Sequence, residues 1–151
     1  MARKLKPVYR YLLIGGGLLL AGAAVAIWWI LTDKFADTTT RKAHYTVEAG
    51  AFINEFQKDL NQANAKYTEK IVVVNGIVSE TEAADTTINI KMADTTTGSY
   101  VIFAFQEQHL AEARQLKEGD KVSIKGSCSG GAYSSILEAY FITFKRCALN
   151  K

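Results

Sequence analysis

At 151 residues, 48% hydrophobic and 22% charged, the chain is long enough for one ordinary domain plus an appendage and too apolar for disorder. Its net charge of +3 conceals a division: Arg3, Lys4, Lys6 and Arg10 precede a charge-free stretch, and from Asp33 onward fourteen basic side chains face fifteen acidic ones, a balance of −1. That balance argues against a nucleic-acid surface, which needs clustered Lys and Arg to displace counterions from phosphates.

From Tyr11 to Leu31 there are twenty-one consecutive residues without a charge. A helix rising about 1.5 Å per residue would span roughly 30 Å there, the hydrocarbon thickness of a bilayer. Tyr9 and Tyr11 at one end and Trp28 and Trp29 at the other suit the two membrane interfaces. The basic cluster before the segment places residues 1–10 in the cytoplasm and exports everything beyond Asp33. A cleaved signal peptide is the alternative, because Ala21-Gly22-Ala23 and Ala24-Val25-Ala26 fit a small-x-small site. The apolar run continuing through Ile27 to Leu31 favours an uncleaved single-pass anchor. Gly17 and Ala21, or Gly22 and Ala26, have the four-residue spacing that lets two such helices approach, a weak signal for self-association.

Residues 32–45 form a polar linker without periodicity. Thr46 then reads as an N-cap, with Glu48 in the first turn. Ala49, Phe52, Ile53, Phe56, Leu60 and Ala63 recur at three- and four-residue spacing, predicting one amphipathic helix of about five turns with its apolar stripe on a core.

Ile71 to Glu80 is the stretch around which the rest is organised. Its β-branched run, Ile71-Val72-Val73-Val74, predicts a strand buried on more than one side, and Gly76 marks a bend or bulge. Thr87 to Met92 alternates cleanly, as do Tyr100 to Phe105 and Lys121 to Gly126. Asp94 to Gly98 supplies a turn, Glu107 to Leu116 a short helix, and Gly130-Gly131 a turn into a last strand from Ser134 to about Phe144. Five strands with a helix between the third and fourth predict a mainly β fold with helices, a five-stranded OB-fold barrel over residues 46–146 and a tail at 147–151.

The residues also resemble a known family. Lys66-Tyr67, Lys70, Val74-x-Gly76-x-Val78 and the run from Leu116-Lys117-x-Gly119-Asp120 through Lys125-Gly126-x-Cys128-x-Gly130 are similar to the tRNA_anti-like OB-fold proteins. The resemblance covers roughly Val47 to Phe144 and implies a small exported or membrane-anchored bacterial protein of a kind common in Bacteroidetes. It also implies a periplasmic or otherwise extracytoplasmic domain on the inner membrane. The family often carries a second cysteine near Ala139, which this sequence lacks.

Chemistry-bearing motifs are sparse. His44 and His109 are the two histidines, and no His, Cys and carboxylate spacing nominates a metal site, a nucleophilic triad or a cofactor. The sequence thus predicts a non-catalytic binding module. OB folds bind on the outward face of strands two and three with the flanking loops. That face would carry Thr87, Asn89, Lys91, Tyr100 and Ile102, with Tyr133 in the loop between strands four and five. One aromatic, one lysine and amide or hydroxyl groups suit an extended peptide, a glycan or a protein partner, with a monomeric ectodomain and no nucleic acid. Nucleic-acid binding is one alternative. Another is a haem or metal carrier, because Cys147 falls where the anchored periplasmic haem chaperones place their ligand; otherwise it is an exposed thiol. A hairpin turning near Gly131-Ala132 would set Cys128 opposite Ser135 and keep the two cysteines far apart, with no disulfide.

Overall fold

A computed structural model describes residues 7–32 and 36–151. Arg3, Lys4 and Lys6 of the basic cluster, and Asp33 and Lys34 of the linker, lie outside the described residues. The chain divides into two compact units, one up to Ala36 and one from Asp37 to Lys151.

The first unit is a single helix, α1 (Pro7–Thr32), slightly longer than the predicted span. By length and composition it is able to cross a membrane. Pro7 occupies its first position, where a missing N–H costs nothing.

The second unit is built on a mixed sheet of seven strands with helices. Its elements are β1 (Tyr45–Glu48), α2 (Ala49–Lys58), α3 (Leu60–Tyr67), β2 (Ile71–Ile77), β3 (Glu80–Ala83), β4 (Ile88–Ala93), β5 (Tyr100–Phe105), α4 (Leu110–Ala113), β6 (Lys121–Ser134) and β7 (Ala139–Leu149). The sheet order is β1-β2-β6-β7-β5-β4-β3. β1 runs parallel to β2 and β5 parallel to β7, and the remaining pairs are antiparallel.

The five-strand expectation is corrected to seven, for two local reasons. The organising stretch is split: β2 pairs with β6, β3 pairs with β4, and only Val78 and Ser79 lie between. At that point the backbone changes partners, Val78 N–H donating to Asp120 O at 2.9 Å and Ser79 N–H to Lys91 O at 2.8 Å. One run of chain therefore serves both flanks of the curled sheet, but no ladder closes the sheet into a barrel. The other added strand is β1, which contains Thr46. That residue is not a helix cap; α2 starts after Glu48, whose side chain makes no capping bond.

The predicted five-turn helix is two helices. Asp59 leaves helical geometry at φ −153°, and its carboxylate accepts from Gln62 N–H at 3.0 Å, capping α3. The same break lets both helices keep their apolar residues on the core. Phe52, Phe56 and Tyr67 form a cluster with ring centroids 4.9–6.0 Å apart, and Phe52 reaches Phe144 of β7 at 5.7 Å. A fully buried ring of this kind contributes roughly 1.5–3 kcal/mol by burial.

Gly76 sits in an unbroken ladder opposite Val122, so it makes no bulge. Its role is close approach: a Cβ there would meet Met92 Sδ at 2.7 Å and Ala49 Cβ at 2.9 Å. Gly130 and Gly131 likewise do not form the turn predicted for them. Both lie inside β6, beside a register shift between Cys128 and Gly130. Gly130 has φ +102°, and a Cβ on Gly131 would strike Phe56 at 2.6 Å. Bare backbone at this point lets α2 and α3 settle on β6, where Asn64 brackets Gly131, accepting from its N–H at 2.7 Å and donating to its O at 2.9 Å. The hairpin turns later, at residues 135–138.

That later turn shifts the register of the last pair. Cys128 lies opposite Phe144, not Ser135, and β7 continues to Leu149. Cys147 is consequently no tail residue: it is buried in β7 with its sulfur against Gly126. Both cysteines are free thiols. Burial pushes Cys128 up to about 11 and Cys147 well above the ordinary thiol range, so neither is poised as a thiolate.

The predicted linker is also revised, for it becomes ordered structure at Asp37. A 3-10 turn at Thr38–Thr40 packs on β6 and β7, with Thr38 N–H donating to Gln106 Oε1 at 3.2 Å and its hydroxyl to Arg146 O at 2.6 Å. Downstream, His44 N–H donates to Ile71 O at 2.7 Å and Ile71 N–H donates back to His44 Nδ1 at 3.1 Å. The β-branched run of β2 matches burial on both of its faces. All four residues Ile71–Val74 are buried, yet only Val72 and Val74 belong to the main core; Ile71 and Val73 lie on the opposite, strapped face.

Candidate ligand-binding face

Alternation in β4 and β5 fixes the face. Ile88, Ile90 and Met92 point inward with Val101, Phe103 and Phe105, all buried. Their neighbours Asn89, Lys91, Tyr100 and Ile102 therefore share the outward side, as a strand's two-residue period requires. The register sets Lys91 opposite Ile102, Asn89 opposite Ala104, and Ala93 opposite Tyr100. Four of the six predicted ligand residues thus form one patch. Thr87 precedes β4, in the turn closed by Ala84 N–H on Thr87 O.

Tyr133 does not join them. It lies within β6, opposite Tyr140, and the two rings are 4.9 Å apart. Its position alternates with Ala132 and matches Gly131, whose missing side chain points at Phe56 and Ile142. Tyr133 therefore belongs to the other side of the sheet. The displaced hairpin turn is the cause, since it moved Tyr133 from a loop into a strand.

Two residues that sequence reasoning missed complete the patch. Phe141 of β7 is the register partner of Tyr100, and the rings stack at 6.3 Å with an interplanar angle of 24°. Thr143 stands next to Ile102 in the same ladder. The pairing of β5 with β7 is parallel and distant in sequence, so alternation within either strand gave no sign of it.

The electrostatics of the patch are set by β3. Lys91 bonds both Glu82 and Glu80, the latter at 3.3 Å, with its ammonium 5.5 Å from the Tyr100 ring centroid. The Glu82 bond, chiefly, raises Lys91 above the ordinary lysine range, and the same contact lowers Glu82. The one cation of the patch is thus flanked by two carboxylates, leaving a local charge of −1. Among the described residues, no cluster of three or more His, Cys, Asp or Glu side chains converges to hold a metal.

Chemically, the arrangement is a two-ring platform beside an aliphatic residue, bordered by amide, hydroxyl and paired charges. At the neighbouring end of β6 and β7 the hairpin tip presents Ile136 and Leu137, at 91% and 60% exposure.

The tRNA_anti-like family model matches residues 12–138. Among solved structures the chain is similar to a lipoprotein of Klebsiella pneumoniae, provisionally described as nucleic acid-binding, at a TM-score of 0.55 and 19% identity over 70% of this chain and 91% of that one. It also matches an OBody bound to hen egg-white lysozyme, at a TM-score of 0.42 and 20% identity over 58% of this chain and 92% of that one. An Entamoeba histolytica asparaginyl-tRNA synthetase matches at a TM-score of 0.37 and 14% identity, over 54% of this chain and 20% of the enzyme. No curated protein matches.

Proposed function

Because the chain belongs to the tRNA_anti-like family, we propose that it is a membrane-anchored, extracytoplasmic OB-fold binding module without catalytic activity. Its ligand is an extended peptide or glycan, free or on a partner protein, lying across the Tyr100–Phe141 platform. The observation that carries this reading is the pairing of Lys91 with Glu80 and Glu82 beside two stacked rings. Stacked aromatics offer area to an apolar ligand face, while the paired charges offer hydrogen bonds and a net negative field that disfavours phosphates.

The apolar α1 serves as the anchor, with residues before it in the cytoplasm and the domain outside, in the inner membrane of a bacterium. Alkaline phosphatase fused after Lys151 is then active in cells, because that reporter folds only when exported. Activity from a cytoplasmic reporter alone would overturn the topology.

The haem-carrier reading loses its basis, since Cys147 is buried in β7. Nucleic acid is a second reading with one observation in its favour: two adjacent rings are able to stack bases, each worth about 1–3 kcal/mol. The test separates the two readings. Full-length protein in nanodiscs is titrated with peptide and glycan arrays and with a labelled single strand of about twenty nucleotides at about 150 mM salt. The expected result is saturable peptide or glycan binding that weakens at least tenfold in Tyr100→Ala and in Phe141→Ala and is unchanged in Tyr133→Ala. Micromolar oligonucleotide binding abolished by Lys91→Glu would instead establish the nucleic-acid reading on the same face.

A further inference from the structure

A cavity lies beside the strap, away from the Tyr100–Phe141 platform. Lys125 is in mid-β6 and only 8% exposed, a burial lysine tolerates when its charge is matched. Here it is unmatched: its ammonium makes one bond, to Thr39 O at 3.3 Å, and among the described residues no carboxylate forms an ion pair with it. An ammonium carries three donors, so two are unaccounted for by protein groups. Lys125 also lines a cavity of about 300 Å³, together with Thr39, His109, Glu112, Asn150 and Lys151.

The surrounding charges are otherwise spoken for. Lys151 pairs with Glu112 at 2.6 Å, and His109 meets Asp37 at 2.9 Å. Asn150 donates to Ser123 Oγ at 3.3 Å. The ammonium of a largely buried lysine is left without a protein counterion, beside a space large enough for a small molecule.

We propose that this cavity binds a singly charged oxyanion group, a small carboxylate or phosphodiester, with one oxygen on the Lys125 ammonium and Lys151 at the rim. A monoanion fits because a single unpaired charge is available, whereas a dianion would meet Glu112 and Asp37 with no second free cation. The site is independent of the Tyr100–Phe141 face. Its ligand would bind the strap as well as the sheet, because Thr39 and Lys125 belong to different segments, so occupancy stiffens residues 37–40.

Full-length protein in dodecylmaltoside is melted in increasing acetate or diethyl phosphate at constant ionic strength, with chloride as the balancing ion. Wild-type protein gains several degrees saturably with at least one of the two probes, and Lys91→Ala gains the same. Lys125→Met loses the gain, and Lys151→Ala, at an exposed position, weakens apparent affinity several-fold while folding normally. If Lys125→Met fails to fold, Lys151→Ala and protection of Thr38–Thr40 amides from hydrogen exchange by the probe decide the matter. Repeating the melt in phosphatidylglycerol nanodiscs identifies the source: abolition of the soluble probe's effect there means a lipid headgroup fills the site, and persistence means a free anion does. An equal gain in wild type and both lysine variants, or none with either probe in detergent and no change in amide protection, would overturn the proposal.

Discussion

The outward surface of the sheet has two halves with opposite fates. On β2 and the first part of β6 it is closed: the 3-10 turn of the Asp37–His44 strap packs on β6, and Ile71, Val73, Lys125 and Ser127 are buried. On β4 and β5 it is open, and Asn89, Lys91, Tyr100 and Ile102 are only half-buried. The sequence differs in the same way. β2 begins with four consecutive β-branched residues, as a strand covered on both sides requires, whereas β4 alternates Ile, Asn, Ile, Lys, Met, as a strand covered on one side requires. The covered half stores stability, and the open half is free to vary without loss of the core.

The sharpest way to break this contrast is to put the same charge on each half. Ile71→Asp should destabilise the domain by about 3–5 kcal/mol, the cost of an uncompensated buried charge, while Asn89→Asp should stay within about 0.5 kcal/mol. Urea unfolding of both variants measures it, and equal losses would show that the strap does not seal β2.

The inner side sets the scale for both halves. Phe56→Ala removes a fully buried ring from the Phe52–Tyr67 cluster and should cost about 3–5 kcal/mol in the same assay. An unchanged midpoint would detach α2 from the core.

Thr38→Val tests the strap's hold directly. It keeps the shape but leaves Arg146 O without the 2.6 Å hydroxyl bond, for a loss of about 1–3 kcal/mol. Limited proteolysis near Thr38 should quicken in parallel.

The strap also carries an acid dependence. The Thr39 backbone N–H, then the His109 ring, hold Asp37 down at about 2 from 3.8. A carboxylate with a depressed folded value contributes stability that is complete above the unfolded value and declines as pH falls from about 4 towards 2. The protection factor of the Thr39 amide against hydrogen exchange should fall over that window in wild type and be flat there in Asp37→Asn.

The smallest effect belongs to the open half. Lys91→Met breaks two exposed ion pairs and should change stability by no more than about 1 kcal/mol, while ligand affinity on the Tyr100–Phe141 platform changes by more.

Much of this was legible from residues alone. The charge-free run to Leu31, the buried character of Ile71–Val74, the alternation of Ile88–Met92 and Tyr100–Phe105, and the outward patch Asn89, Lys91, Tyr100, Ile102 all follow from local periodicity, because side-chain direction is fixed by backbone repeat. What covers or joins those faces was not. The polar strap has no periodicity to read, since it is held by single hydrogen bonds such as Thr38 to Arg146 O, 108 residues away. The glycines at 130 and 131 have turn chemistry but answer to α2 and α3 arriving from elsewhere in the chain, and that displaced the hairpin, carried Tyr133 to the other side and drew Cys147 into the core. The Tyr100–Phe141 platform arises from a parallel pairing across 41 residues. Local sequence determined which side of each strand is apolar; only the tertiary structure decided which strands became neighbours, because that choice is made by close approach and long-range packing rather than by any repeat along the chain.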